Sequence, residues 1–447
     1  MSSGGRIVKI SNYGPQDRHI TNNPQITFFK NVYKRHTNFS IEQMLIPMDE
    51  GAGSRERFGQ EIRAIIPRNG NLLHKLYLYL DISMYNETGD TLFTVTNFLN
   101  TIIKNATIKI GSTIIEQYRS EFKQAKSELF NTDENRYNFS DPTYGGKPIV
   151  TDLNDPYVSD TMTRSFGNQP LFVKGLTTST TQIKKKLVYE FDFWFTRDIG
   201  HSLPLDALYN HQIELIFNYE TKNNMLGNVN IQMSIADAKL MGEYIYLDRD
   251  EQQRFSSASH EYLIEQTQYQ GSETTDEPIN DALFKTLVQK NYTLNFIQPV
   301  KYLLWCITSP GTAGANSGLG PTYFTSQTTN STIDNDGNDG TLSLLLDNQY
   351  VIPENTPIIF YTRIQPKRLT GNMAALDTVG MYSFALKPFD IEPSGTCNFS
   401  RIQRSKVLST QFANNDPTKI GEKSLMIFAV NYNILRISGG MGGTLYT

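Results

Sequence analysis

Cysteine is nearly absent: Cys306 and Cys397 are the only two in 447 residues. That excludes a disulfide-dense secreted scaffold and any multi-cysteine zinc module, and buried free thiols are the reading of both. Long apolar runs are missing as well. Nowhere do about 18 apolar residues follow one another, so no transmembrane helix is expected. Residues 1–10 carry Arg6 and Lys9 but lack the apolar centre of a signal peptide. Charge of one sign is lacking too. The 41 basic and 45 acidic residues give a net charge of −4, which supplies no general basic field for an extended nucleic-acid surface. The six histidines, at positions 19, 36, 74, 201, 211 and 260, show no metal-ligand spacing. No metal or cofactor is therefore expected.

What is present leans strongly to β structure. There are 24 Tyr and 25 Phe beside many Thr, Val and Ile. Leu76, Leu78, Leu80 and Ile82 alternate with polar or aromatic partners at a period of two, which predicts a strand with one buried face. The same alternation marks Leu187, Tyr189, Phe191, Phe193 and Phe195, then Ile213 through Tyr219, then Met426 through Ile434. Shorter strands are expected at Ala106 to Ile110, Leu240 to Leu247, Leu294 to Cys306 and Ile358 to Arg363, and Pro24 to Phe29 opens with a first strand or docking element. Helical spacing is confined to Phe122, Ala125, Leu129 and Phe130 after a Ser120 cap, and to a short segment from Arg249 to Ala258. Turn-rich stretches at 131–181 and 309–340 are too long for ordinary loops and are expected to be exposed.

Length allows two domains of about 200 residues each. The expected fold is all-β: two tandem eight-stranded antiparallel jelly rolls with a few short helices and long loops. The expected division is an arm over 1–23, a first roll over 24–247, a linker over 248–259 and a second roll over 260–447.

Several local patterns invite a chemical reading. Arg197, Asp198, His201 and Ser202 fall close together, but Ser202 is not in a nucleophile elbow and adjacency does not make a triad, so a turn is expected. Lys184, Lys185 and Lys186 lead into a strand and read as a solvated run. The residues from Asp334 to Asp339 resemble a calcium loop but have Leu345 at the twelfth position, where an acidic ligand belongs. Gly439, Gly440, Gly442 and Gly443 lack the Lys-Ser/Thr of a phosphate loop and read as a tight turn where backbones approach closely. Trp194 and Trp305, the only tryptophans, fall in apparent core strands, which disfavours a sugar-binding aromatic strip. Seven Asn-x-Ser/Thr sequons, at Asn38, Asn86, Asn105, Asn138, Asn291, Asn330 and Asn398, have no signal peptide to bring them to a glycosylation route. No catalytic, cofactor or metal residues are assigned, and no enzyme is expected.

Longer strings carry a resemblance. Asn23 through Phe39 (NPQITFFKNVYKRHTNF), Phe193 to Arg197 with Leu203 to Leu208, Tyr244 to Glu251 with His260 to Gln266, Tyr382 to Pro388, Pro393 to Ile402 and Asn431 to Arg436 together resemble the major capsid proteins of nucleocytoplasmic large DNA viruses. The resemblance implies a structural protein with two jelly rolls per chain and a homotrimer of near-hexagonal outline, forming the capsomer of an icosahedral shell. It further implies neighbouring capsomers, minor capsid and penton proteins, and the internal viral membrane as partners, the last through the N-terminal base. No direct nucleic-acid contact is implied. The implied location is the outer capsid of the virion, with assembly in the host cytoplasm. Within the Pro393 to Arg401 string, Gly395 is expected to adopt torsions closed to other residues and Arg401 to pair with a carboxylate, inside the domain or between subunits. The remaining alternatives are a carbohydrate-binding jelly-roll protein and a minor or penton capsid component.

Overall fold

The structure is a computed structural model that describes residues 14–49, 57–86, 93–95, 98–130, 171–173, 183–222, 231–274, 287–308, 341–354, 356–371, 379–403, 406–413 and 424–446. It divides into two units, Met1–Asn38 and Phe39–Thr447. In the first unit a single helical turn, Arg18–Thr21, interrupts otherwise irregular backbone among the described residues. The expected strand at Pro24 to Phe29 is not there. Phe28, Phe29, Val32 and Tyr33 are all exposed, so among the described residues none supplies the buried face that would fix a strand.

The described residues of the second unit include sixteen strands that repeat one plan twice. The first eight are β1 (Phe39–Ile46), β2 (Glu61–Ile65), β3 (Leu72–Asn86), β4 (Ile103–Ile110), β5 (Thr113–Arg119), β6 (Ile183–Glu190), β7 (Ile213–Tyr219) and β8 (Ile231–Leu247). They form two antiparallel sheets in the orders β1-β8-β3-β6 and β2-β7-β4-β5. The second eight are β9 (His260–Thr274), β10 (Leu287–Thr293), β11 (Pro299–Thr308), β12 (Thr341–Leu346), β13 (Gln349–Ile352), β14 (Val379–Ser383), β15 (Lys406–Ala413) and β16 (Ser424–Ser438). Their sheets run β9-β16-β11-β14 and β10-β15-β12-β13. Counted by position, both halves pair first-eighth-third-sixth and second-seventh-fourth-fifth, the connectivity of a jelly roll. A short strand β17 (Met441–Thr444) folds back on β16.

Period-two patterning places the core. Leu76, Leu78, Leu80 and Ile82 of β3 are almost wholly buried, and the ladder sets Leu78 opposite Leu240 on one side and Tyr189 on the other. In the second roll Leu303, Trp305, Ile427 and Ala429 form the inner cluster.

Three expected strands are corrected. The alternation from Leu187 to Phe195 leaves the sheet after Glu190, and Trp194–Arg197 is a helical turn. Phe191, Phe193 and Phe195 still stack in register, with centroids 6.1 and 5.8 Å apart. The period therefore recorded a buried face and not a ladder. The segment expected as a strand from Ile358 to Arg363 is helical over Phe360–Ile364, where Ile358, Tyr361, Thr362 and Gln365 are buried at helical spacing. Between Leu294 and Cys306, the strand begins only at Pro299.

Four helices pack at or beside the junction of the two rolls: α1 (Ser120–Phe130), α2 (Trp194–Arg197), α3 (Arg249–Ser257) and α4 (Gln365–Thr370). Helix α1 begins at Ser120 itself. Helix α3 is capped by the Asp248 carboxylate, which accepts from the Arg249 N–H, and carries Asp250 and Glu251 in its first turn.

Candidate functional site: the joint between the two jelly rolls

The outer face of the sheet β9-β16-β11-β14 is apolar. Tyr302, Leu304, Cys306, Met381, Phe428 and Val430 belong to one buried cluster with the core of the first roll. What covers them is α1, whose Phe122, Ala125 and Leu129 lie on one face. The Phe122 and Phe428 rings are 5.5 Å apart. Burial of each such side chain contributes about 1.5–3 kcal/mol, so the joint is an extension of the first roll's hydrophobic core and not a loose tether.

A chain of charges, buried at Glu116 and Lys301 and partly buried elsewhere, crosses the same joint. Arg197 donates to Asp192 (3.0 Å), to Glu116 on β5 (3.2 Å) and to Glu265 on β9 (2.8 Å). Lys126 of α1 reaches the other oxygen of Asp192 at 2.5 Å. Lys301 of β11, wholly buried, pairs with Glu265 and donates to the Asp390 carbonyl. The second oxygen of Glu116 accepts the Trp194 N–H at 2.8 Å. Three cations thus face three carboxylates, which is what makes burial of the set tolerable.

The protonation of the set follows from its surroundings. Burial would raise Asp192, but Arg197 and Lys126 hold its carboxyl far below the usual range. Burial likewise opposes ionisation of Glu265, and Arg197 with Lys301 overcomes it. For Glu116 burial wins, and its carboxyl is pushed up to about 7 against the pull of Arg197 and the Trp194 N–H. Burial also lowers Lys123 to about 8, where its ammonium sits 3.5 Å from the centre of the Tyr189 ring.

A second clasp closes the joint at the C-terminal hairpin. Gly439 and Gly440 turn β16 into β17 with φ of 61° and 83°. The Asn210 backbone N–H donates to the Gly440 carbonyl and its side-chain amide to the Gly439 carbonyl, both at 3.0 Å. The Gly442 N–H donates to His211 Nδ1 at 3.3 Å. A β-carbon on Gly440 would stand 2.6 Å from the Tyr209 ring, so a side chain is excluded by contact as well as by torsion. The glycine-rich string is therefore a tight turn with close backbone approach, as expected, and its counterpart lies in the other roll. The same bracket is fixed from below, where Asp206 accepts from Asn71 (2.6 Å) and from Gln252 of α3 (3.0 Å).

The Ser–His neighbourhood is not a triad. Ser202 donates its hydroxyl to the Ile199 carbonyl at 2.6 Å, while His201 faces Asp198 at 3.3 Å. Arg197, from that same string, is the residue with a long-range role, and nothing local in sequence marks its partner on β9. Trp194 and Trp305 are both buried, so neither offers a sugar-binding face, and Trp194 lies on α2 and not on a strand. Cys306 is buried in the joint and Cys397 is partly buried, both as free thiols. Gly395 has φ 135° and would clash with the Phe384 carbonyl if given a side chain. Arg401 is exposed and forms no carboxylate pair among the described residues. The side chains of Lys184 to Lys186, the Asp334 to Asp339 loop and most of segments 131–181 and 309–340 lie outside the described residues. Among the described residues no group of His, Cys, Asp and Glu is placed to hold a metal ion.

Comparison with known proteins matches one family to the first part of the chain and another to the second. The family of major capsid protein N-terminal regions matches residues 27–248, and the large eukaryotic DNA virus major capsid protein family matches residues 251–443. The major capsid protein of Pyramimonas orientalis virus is 31% identical, covering 99% of this chain and 100% of the relative. That of Paramecium bursaria Chlorella virus 1 is 30% identical, covering 99% of each. The PBCV-1 virus capsid structure superposes with a TM-score of 0.66 at 25% identity, over 94% of this chain and 100% of the other. The Faustovirus major capsid protein, 11% identical, shares the fold with a TM-score of 0.65 over 97% of this chain and 96% of that one. Two jelly rolls of one connectivity, locked through a buried joint, and full-length likeness to these shell proteins place the chain in the family of major capsid proteins of large eukaryotic DNA viruses.

Proposed function

We propose that three copies of this chain close into a trimeric capsomer whose six jelly rolls give it a near-hexagonal outline. The observation that carries the reading is the repeated strand order of the two rolls, held together by a joint that is both apolar and charge-paired. Cyclic closure of three such pairs presents six similar edges to a shell lattice. The protein acts as a building block of the virion capsid, and its assembly takes place in the host cytoplasm. The working division is an arm over 1–23, rolls over 24–247 and 260–447, and a linker over 248–259 that contains α3.

The N-terminal arm, together with the Pro24 to Phe39 motif that follows it, is assigned to the base of the capsomer, facing neighbouring capsomers, minor capsid and penton proteins or the internal membrane. Two features support this. Residues 1–38 carry Arg6, Lys9, Arg18, Lys30, Lys34 and Arg35 against Asp17 alone, and Phe28, Phe29, Val32 and Tyr33 stand exposed beside those cations. Such a segment needs an outside surface to bury it. No catalytic step is assigned to the chain, in keeping with the use of the Ser202 hydroxyl on a backbone carbonyl. Electron microscopy of the purified protein tests the capsomer: three-fold particles with six lobes are expected, and two-lobed single chains would contradict it.

A further inference from the structure

One imidazole sits between the two rolls. His211 belongs to the first roll, in the loop that leads into β7, and its ring lies on the backbone of Gly111 in the turn from β4 to β5, where a β-carbon would stand 3.1 Å from it. Gly111 has φ 61° and no side chain, which leaves the slot that the ring fills. On its other side the ring meets the second roll: Nδ1 accepts the Gly442 N–H of β17 at 3.3 Å. A bare Nδ1 belongs to the neutral ring, because the imidazolium carries a proton on each nitrogen and donates from both. The residue is half-buried and the ring has no other hydrogen bond among the described residues, so solvent protons reach it.

Each side of this contact is fixed to its own roll. On the first, Arg68 donates to the Leu208 and His211 carbonyls at 2.6 and 3.0 Å and holds the loop in place. On the second, the Leu445 N–H donates to the Ile434 carbonyl at 2.8 Å. The Asn433 side chain grips Tyr446 as a neighbouring strand would, donating to its carbonyl at 2.8 Å and accepting its N–H at 3.4 Å. Asn433 is buried and also donates to Gln266 of β9 at 2.9 Å. The hairpin is thus tied to β16 and β9 independently of the first roll. Its links to loop 208–211 are the His211 bond, the two Asn210 bonds to Gly439 and Gly440, and the close fit of Gly442 on Leu208.

The charged groups on the elements around the ring are Arg68, Lys109 on β4, Glu214 on β7 and Arg436 on β16, with Asp206 and Tyr209 in its own loop. None of them bonds to the ring among the described residues. Asp206 is engaged by Asn71 and Gln252. No carboxylate is therefore in place to hold an imidazolium once it forms.

We infer that this contact is an acid-released catch between the rolls: protonation of His211 sets Nδ1–H against the Gly442 N–H, and loop 208–211 parts from the C-terminal hairpin while the joint under α1 stays packed. Histidine is the side chain whose charge changes between about pH 5 and 8. Glu116 acts in the opposite sense, since its proton uptake on folding strengthens the joint toward acid, so loosening confined to the catch does not come from it. The catch lies within one chain and does not depend on the trimeric reading.

Hydrogen–deuterium exchange of the full-length protein at about pH 7.5 and about pH 5.5, with labelling times scaled for the intrinsic rate, reads the catch directly. Expected in acid is exchange about tenfold faster in the peptides holding Asn210 and Gly442, the effect of losing a bond of about 1.4 kcal/mol. Peptides from α1 and β11 should stay as protected as before. In His211→Asn, Oδ1 takes the place of Nδ1 and accepts the same N–H without titrating, so protection at the two pH values should agree. Equal protection of the wild-type catch at both pH values, or an acid response that survives in His211→Asn, overturns the inference. So does acid loosening that spreads to α1 and β11.

Discussion

Arg197 of the first jelly roll and Glu265 of the second meet at 2.8 Å, and through them a continuous run of paired charges passes from Lys126 on α1 to Lys301 on β11. The contact fixes one roll against the other where the apolar side chains of α1 already bury the sheet beneath. Hydrophobic burial supplies the attraction, and the guanidinium fork supplies direction, since its three carboxylate partners come from three different segments.

Removing that fork leaves Asp192, Glu116 and Glu265 facing one another without their shared cation. Arg197→Leu is therefore expected to destabilise the fold by about 3–5 kcal/mol. Denaturant unfolding checks this, with Arg63→Leu, a surface pair with Glu61, as a control expected to leave the unfolding midpoint nearly unchanged.

Glu116 gives the joint a pH dependence. Folded, its carboxyl keeps a proton up to about 7, whereas in the unfolded chain it releases it near the ordinary value of 4.5. Folding takes up a proton between those values, so stability is greater at the acid end of the window and falls as pH rises through it. Relative to Glu116→Gln, wild type should lose on the order of 3 kcal/mol from pH 4.5 to 7. Parallel profiles for the two proteins would show that Glu116 titrates normally.

Gly440 makes the hairpin clasp specific. Gly440→Ala forces a β-carbon against Tyr209 at positive φ and is expected to cost about 1–3 kcal/mol. Limited proteolysis should then cut faster near α3. Gly443→Ala, which meets nothing within 4 Å, should leave the digestion pattern unchanged.

Much of this architecture can be read from the chain itself, because burial of one face of a strand writes a period of two into β3, β7 and β16. The same signal overran the sheet at Phe191 to Phe195, since stacked aromatics keep the period after the ladder has ended. At Ile358 to Arg363 the β-branched composition hid helical spacing. The joint was legible only in pieces. Arg197 stood in a string that could be singled out, but its partner Glu265 lies 68 residues away. The glycines of the hairpin announced close approach without naming Asn210. Local patterns record which face is buried; they do not record what buries it.

Deletion of residues 1–23 separates capsomer formation from shell formation. Soluble trimers that fail to build shells are expected, read by light scattering and electron microscopy of the assembly reaction. Normal shells from the truncated chain would remove the arm from assembly.

The central claim is the closed trimer, and light scattering of the purified full-length protein addresses it most directly. A mass of three times the 50.8 kDa chain, stable on dilution, is the expected result. A mass of one chain across the whole concentration range would contradict it.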